Sequence, residues 1–181
     1  MRFTPTPLAG AWLIEIEPHQ DPRGFFARLV CRQSFEQQGL NADFVQQSLS
    51  WNPLQGTLRG LHFQAPPHAE DKLVRVTQGA IFDVIVDLRA GSASYGQWFG
   101  LELSAANRRQ LYLPKGFAHG FQTLIANTEI SYQMSVPFEP TAARGLRWDD
   151  PELKISWPTT AERLVGERDQ NLPFLRELPT E

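Results

Sequence analysis

Short runs of apolar residues, each closed by Gly, Pro, Asn or Ser, fill most of this chain. Thr57–Phe63, Lys72–Gln78, Ile81–Leu88, Gln97–Leu103, Arg109–Pro114, Phe117–Ile125 and Glu129–Pro137 all read as strands of this kind. Regular short strands separated by turn residues predict a sandwich or barrel. The run Ile81-Phe82-Asp83-Val84-Ile85-Val86-Asp87 is apolar at nearly every position apart from its two acids, which marks a central strand. Asp83 and Asp87 flank buried positions there and are expected as structural partners of Arg75 or Arg89. Gln78-Gly79-Ala80 before the run has the composition of a tight hairpin.

Upstream, Leu8–Glu17 mixes apolar and acidic residues and stops at Pro18. Asp21-Pro22-Arg23-Gly24 is a turn, and Phe25–Val30 and Phe44–Trp51 read as further strands. Ser34–Gly39 predicts a short helix, with Ser34 as its N-cap and Gly39 as its stop. After Trp148 the chain is broken by Pro151, Pro158, Pro173 and Pro179, with room for one helical turn at Ala161–Leu164. The expectation is one all-β domain over residues 1–181, with short helices and an irregular C-terminal wrap.

Composition narrows the class. At 181 residues, 41% hydrophobic and 20% charged, the chain has enough apolar material for one core. A net charge of −3 argues against a general nucleic-acid binder but leaves room for a local basic pocket. The lone Cys31 has no intrachain disulfide partner, no signal peptide is evident at the start, and no apolar run approaches the ~20 residues of a membrane span. A cytoplasmic protein with no nucleic-acid or membrane partner is the expectation.

Of four histidines, two sit in informative strings. His62 lies in Leu58-Arg59-Gly60-Leu61-His62-Phe63-Gln64. His119 follows a Pro-x-Gly turn in Pro114-Lys115-Gly116-Phe117-Ala118-His119-Gly120-Phe121. That Pro-x-Gly-x-x-His spacing is similar to the second half-motif of cupin barrels, whose first half-motif carries two histidines one residue apart. Here Gln64 holds the second position. A metal centre needs three or four converging nitrogen or carboxylate ligands, and glutamine is a weak neutral one. With only His62, His119 and Glu70 as candidates, the expectation is a pocket with no metal and no cofactor.

A specific resemblance follows from the order of the strings. Asp21-Pro22-Arg23-Gly24-Phe25-Phe26, the Leu58-to-Gln64 string, Asp71-Lys72-Leu73-Val74-Arg75-Val76, Phe82–Arg89, Tyr95-Gly96-Gln97-Trp98, Leu103–Asn107, Pro114–Phe121 and Trp148-Asp149-Asp150-Pro151 occur in sequence over nearly the whole chain. Together they resemble the dTDP-4-dehydrorhamnose 3,5-epimerase family of metal-independent cupins. The resemblance implies a cupin jelly roll and an isomerase acting on a nucleoside-diphosphate 4-keto-6-deoxyhexose. Protons on the carbons flanking the ketone are acidic. Their removal gives an enolate, and their return from the opposite face inverts carbon 3, carbon 5 or both.

By the same resemblance, His62 is the base, Tyr132 the acid, Lys72 the partner of the ketone oxygen, and Asp169 the carboxylate that orients His62. Arg59 and His119 match residues near the sugar and phosphates, and Arg168 sits where the family usually has lysine, which keeps the positive charge. Phe26, Gln46 and Phe138 match nucleotide contacts, and Arg23 matches a residue that reaches the neighbouring subunit in a strand-exchanged homodimer. Departures from the family pattern cluster around the nucleotide: Arg28 replaces glutamate, Ser48 asparagine, Leu49 histidine and Ala143 glutamate, while Phe138 stands where tyrosine is common. An arginine only donates hydrogen bonds, so Arg28 suits the acceptor at N3 of cytosine better than the donor of thymine. A CDP-linked substrate, a ketoisomerase, and a non-catalytic or metal-dependent cupin are the rival readings.

Overall fold

The structure, a computed structural model, describes residues 1–178; Pro179, expected as the last break in the C-terminal wrap, lies outside the described residues. The strands in chain order are β1 (Arg2–Pro5), β2 (Trp12–Glu15), β3 (His19–Asp21), β4 (Gly24–Phe26), β5 (Gln46–Asn52), β6 (Thr57–Gln64) and β7 (Lys72–Gln78). They continue as β8 (Ala80–Asp87), β9 (Trp98–Ser104), β10 (Gln110–Leu113), β11 (Phe117–Thr123), β12 (Thr128–Met134), β13 (Ala143–Gly145) and β14 (Leu164–Val165). Two short helices, α1 (Arg32–Glu36) and α2 (Glu167–Gln170), complete the regular structure with two brief 3-10 turns. One sheet runs β1-β2-β10-β7-β12-β5 and the other β13-β6-β11-β8-β9, with β14 parallel to β6. The two sheets face each other as a cupin jelly roll.

Strand alternation accounts for the packing. The inner faces meet through Val74, Val76, Leu111 and Ile130 from one sheet and Ile81, Ile85, Leu103 and Phe121 from the other. Full burial of each such side chain is worth roughly 1.5–3 kcal/mol. The outer face of the first sheet is covered by α1, which seats Phe35 against Tyr112, Leu73 and Ile14. The second sheet is covered from outside by the C-terminal wrap, where Leu146, Leu153 and Leu175 pack on Leu61, Val84 and Val86. Burial on both faces is why β8 is apolar nearly throughout, and it lies inside its sheet between β11 and β9.

Several local expectations are corrected. The strand expected over Phe25–Val30 stops at Phe26, because β3 and β4 form an isolated hairpin whose residues are all exposed. The helix begins at Arg32 with Cys31 at its N-cap, so Ser34 lies within it, while Gly39 does end the segment in a left-handed conformation (φ +71°). No helical turn forms at Ala161–Leu164. Leu164 and Val165 instead pair with Thr57 and Leu58, and the helical turn comes later, in α2. β1 and β13 had no clear sequence signal, being edge strands of four and three residues.

Candidate active site

The site is built around an irregularity in β6. Arg59 pairs with Phe121 and His62 with His119, so three steps on β6 match two on β11. Simple alternation would send residues 59 and 62 to opposite faces. The bulge lets both point into the sandwich. It depends on Gly60, which has φ +128° and lies so close to β11 that an added Cβ would sit 2.5 Å from the Gly120 Cα.

The free backbone N–H of Gly60 donates to Asp169 Oδ2 at 3.0 Å, and His62 Nε2–H donates to Oδ1 of the same carboxylate at 2.7 Å. α2 therefore delivers a buried carboxylate whose two oxygens are both engaged. Burial opposes its charge, but the bonds from His62 and Gly60 outweigh that and hold its pKa below the ordinary aspartate value. With Nε2 committed to Asp169, Nδ1 is the ring nitrogen left to take a proton.

Tyr132 comes from the opposite sheet. It shares the inner face of β12 with Ile130 and packs against the central core. Burial pushes its phenol well above the ordinary tyrosine value, and negative charge at Asp83 adds to this. Arg59 and a hydrogen bond with Ser50 act the other way. Lys72 lies two residues from Val74 on the adjoining strand, on the same face, and its ammonium meets Glu70 at 2.8 Å with both side chains nearly buried. That pair is thus not a solvated surface contact. His119 is buried, lies edge-on to Tyr132 with ring centroids 6.0 Å apart, and contacts Asp83 at 2.7 Å. The partner of Asp83 is therefore His119 and not an arginine, whereas Asp87 does pair with Arg89.

Glu70 and Gln64 do not converge with the two histidines. Gln64 donates to the His68 and Pro137 carbonyls and to Glu70, and accepts from the Glu139 N–H, which commits it to holding the chain around residue 138. Among the described residues, no three His, Cys, Asp or Glu side chains gather in a metal-binding cluster.

An open cleft of about 600 Å³ leads to His62 and Asp169 and is lined by Asn52, Arg59 and the exposed Arg168. Arg59 is steadied there by Asn52 Oδ1 at 2.9 Å. Tyr132 and Lys72 do not line this cleft; they project from the facing sheet. Ser48 is opposite Tyr132 across the β5–β12 pair. Gln46 accepts the Phe138 N–H at 2.7 Å, beside a Phe138 ring left 55% exposed. Arg23, Phe26 and Arg28 are not brought to His62 within this chain. Arg23 is exposed on the β3–β4 hairpin and bonds Asp21. Phe26 (71% exposed) and Arg28 border a separate hollow of about 280 Å³ with Glu17 and His19.

Sequence reasoning missed Asp83, Asn52 and Gly60 as members of the site. The available signal for Asp83 was a lone acid on an otherwise apolar strand, which demands a buried partner.

A jelly roll holding a carboxylate-anchored imidazole, with a phenol on the facing sheet and arginines at the mouth, defines an acid–base enzyme of the cupin class. Comparison with known proteins narrows this. The family model described as dTDP-4-dehydrorhamnose 3,5-epimerase matches residues 5–177. An epimerase of that name from Sinorhizobium fredii is 44% identical over 179 residues, covering 99% of this chain and 92% of the relative. The crystal structure of the Bacillus anthracis epimerase with TDP and pyrophosphate bound superposes with a TM-score of 0.92 at 43% identity, covering 96% of this chain and 99% of that one. The Legionella pneumophila epimerase in complex with dTDP-4-keto-L-rhamnose gives a TM-score of 0.93 at 35% identity, covering 98% of this chain and 94% of that one. The chain belongs to the dTDP-4-dehydrorhamnose 3,5-epimerase family, and it is an isomerase.

Proposed function

We propose that this protein epimerises a dTDP-linked 4-keto-6-deoxyhexose at carbons 3 and 5. The observation that carries the reading is the 2.7 Å bond between His62 Nε2 and Asp169, which leaves Nδ1 free as a base and gives the resulting imidazolium a buried counter-charge. His62 removes the proton beside the ketone. Lys72 neutralises the enolate oxygen, and Tyr132, from the facing sheet, returns a proton to the other side of the ring. Arg59 and Arg168 hold the diphosphate at the cleft mouth, with His119 beside the sugar, while Gln46, Ser48 and Phe138 border the base. Two relatives bound to TDP or to a dTDP-sugar support the choice of nucleotide.

Arg23, Phe26 and Arg28 serve the site of a second copy, which accounts for the exposure of their hairpin in the single chain. The working unit is accordingly a strand-exchanged homodimer. No helix among the described residues is long and apolar enough to cross a membrane, and we place the enzyme in the cytoplasm.

Incubating the protein with dTDP-4-keto-6-deoxyglucose and identifying the product by NMR tests the activity, alongside calorimetric titration with dTDP and CDP. Formation of the product inverted at carbons 3 and 5, with tighter binding of dTDP, is the expected result. Tighter binding of CDP would transfer the reading to a CDP-sugar, as the donor-only Arg28 side chain would favour. Light scattering should give twice the 20.5 kDa chain mass.

A further inference from the structure

One carboxylate inside the sandwich has no role in the chemistry assigned to His62, Lys72 and Tyr132. Asp83 is fully buried on β8. Its Oδ1 meets His119 Nε2 at 2.7 Å, while its Oδ2 has no hydrogen-bond partner. An orphaned buried oxygen destabilises the fold, and a strand this apolar could hold a residue without it. His119 is only 5% exposed and presents its ring edge-on to Tyr132, 6.0 Å between centroids at 76°. The three side chains come from β8, β11 and β12 and form a continuous stack from one sheet to the other.

We propose that Asp83 and His119 are a positioning pair for Tyr132: the imidazole fixes the ring, and the unpaired carboxyl oxygen supplies negative charge beside the phenol. The pair acts through Tyr132, so the inference rests on the reading of that residue as the acid.

The consequence is electrostatic. A phenol that must deliver a proton to carbon has to remain protonated until the enolate forms. Negative charge beside it opposes premature ionisation. Arg59 from β6 and Ser50 from β5 also act on the phenol, and both favour phenolate. Ser48 is opposite Tyr132 on β5, Lys72 lies on the same face of β7 two positions from Val74, the partner of Tyr132, and His62 lies on β6 opposite His119. Asp83 is the one acid among the described residues near Tyr132 on the inner face that is not already committed to a cation or an amide on all its oxygens. Burial holds the Asp83 carboxyl above the ordinary aspartate value, and the charge and hydrogen bond of His119 oppose that, so the negative charge beside the phenol depends on His119.

The chain has three tyrosines, so labelling the Cζ carbons with carbon-13 gives three resonances, and Tyr132→Phe assigns one. In the parent the Tyr132 resonance should stay at the phenol position up to the highest pH at which the protein remains folded, because its phenol is held well above the ordinary tyrosine value, whereas in full-length Asp83→Asn it should move toward the phenolate position within that range. An alkaline limb of kcat should emerge in the variant over the same range, and kcat should fall about 10- to 100-fold with little change in KM. Asp83→Glu, which restores the charge, should reverse part of the shift. A folded Asp83→Asn protein with an unmoved Tyr132 resonance and no alkaline limb would overturn the inference, as would identical behaviour of the Asn and Glu variants. If Tyr132→Phe itself keeps full activity, the failure lies in the reading of Tyr132 as the acid, and the inference falls with it.

Discussion

Replacing Asp169 by asparagine removes one charge and leaves the side-chain shape intact. In the parent, Oδ2 accepts from the Gly60 N–H at 3.0 Å and Oδ1 from His62 Nε2–H at 2.7 Å. The substituted side chain would still satisfy Gly60 with its carbonyl oxygen, so the β6 bulge should survive. That choice turns the amide NH₂ toward His62. Nε2 must then accept, the ring proton moves to Nδ1, and the nitrogen facing the substrate can no longer act as a base. The imidazolium also loses a charge-assisted bond worth about 1.5–3 kcal/mol. At about 1.36 kcal/mol per tenfold change, the rate should fall about 10- to 150-fold from the charge alone, and the wrong tautomer adds to that loss. Steady-state kinetics on the keto-sugar should show the loss in kcat, with KM within about threefold. Thermal melting would establish that the variant is folded. A kcat within about twofold of the parent in folded Asp169→Asn would mean that the carboxylate sets neither the tautomer nor the charge of His62.

Gly60→Ala should lose roughly 2–4 kcal/mol, because its Cβ meets the Gly120 backbone at 2.5 Å and its φ is +128°; calorimetry should show a melting point lower by about 4–16 °C. Lys72→Met should reduce kcat on the order of 10²–10³-fold by leaving the enolate oxygen without a cation, and an unchanged kcat in a folded variant would remove lysine from the mechanism. Asp87 is buried against its charge but bonded by Arg89, Ser92 and Ser94, which hold its pKa below the ordinary value. Its stabilisation is therefore complete above the unfolded aspartate range near about pH 4 and fades as the pH falls below it. Denaturant titrations of Asp87→Asn should accordingly show a deficit at about pH 7 that shrinks toward about pH 2.

The strands of the sandwich were legible because alternation and turn residues operate over a few positions at a time. β5 to β12 all fall within or beside the segments expected from pattern. The doubly buried β8 was legible for the same reason. Boundaries set by tertiary contact were not. β4 ends where its hairpin leaves the body of the protein, and β14 exists only because β6 lies beside it.

The histidines and Lys72 were identifiable from their strings. The depth of Asp169 was hidden in a charged stretch, Glu167-Arg168-Asp169, that looks solvated until α2 docks against β6. Arg59 and His62 have odd spacing, so alternation alone would have separated them. Only the bulge at Gly60 reunites them, and no local propensity announces it. Asp83 and His119 are 36 residues apart and meet only after β8 and β11 pair.

All of the chemistry assigned to this fold requires His62 to move a proton between solvent and the carbons beside a sugar ketone. Turnover of the dTDP-4-keto sugar in heavy water, followed by carbon-resolved NMR, reads that transfer atom by atom. Deuterium should appear at carbons 3 and 5 with the parent enzyme and be lost from both with His62→Ala. Exchange at the parental rate in the folded alanine variant would show that another group carries the proton.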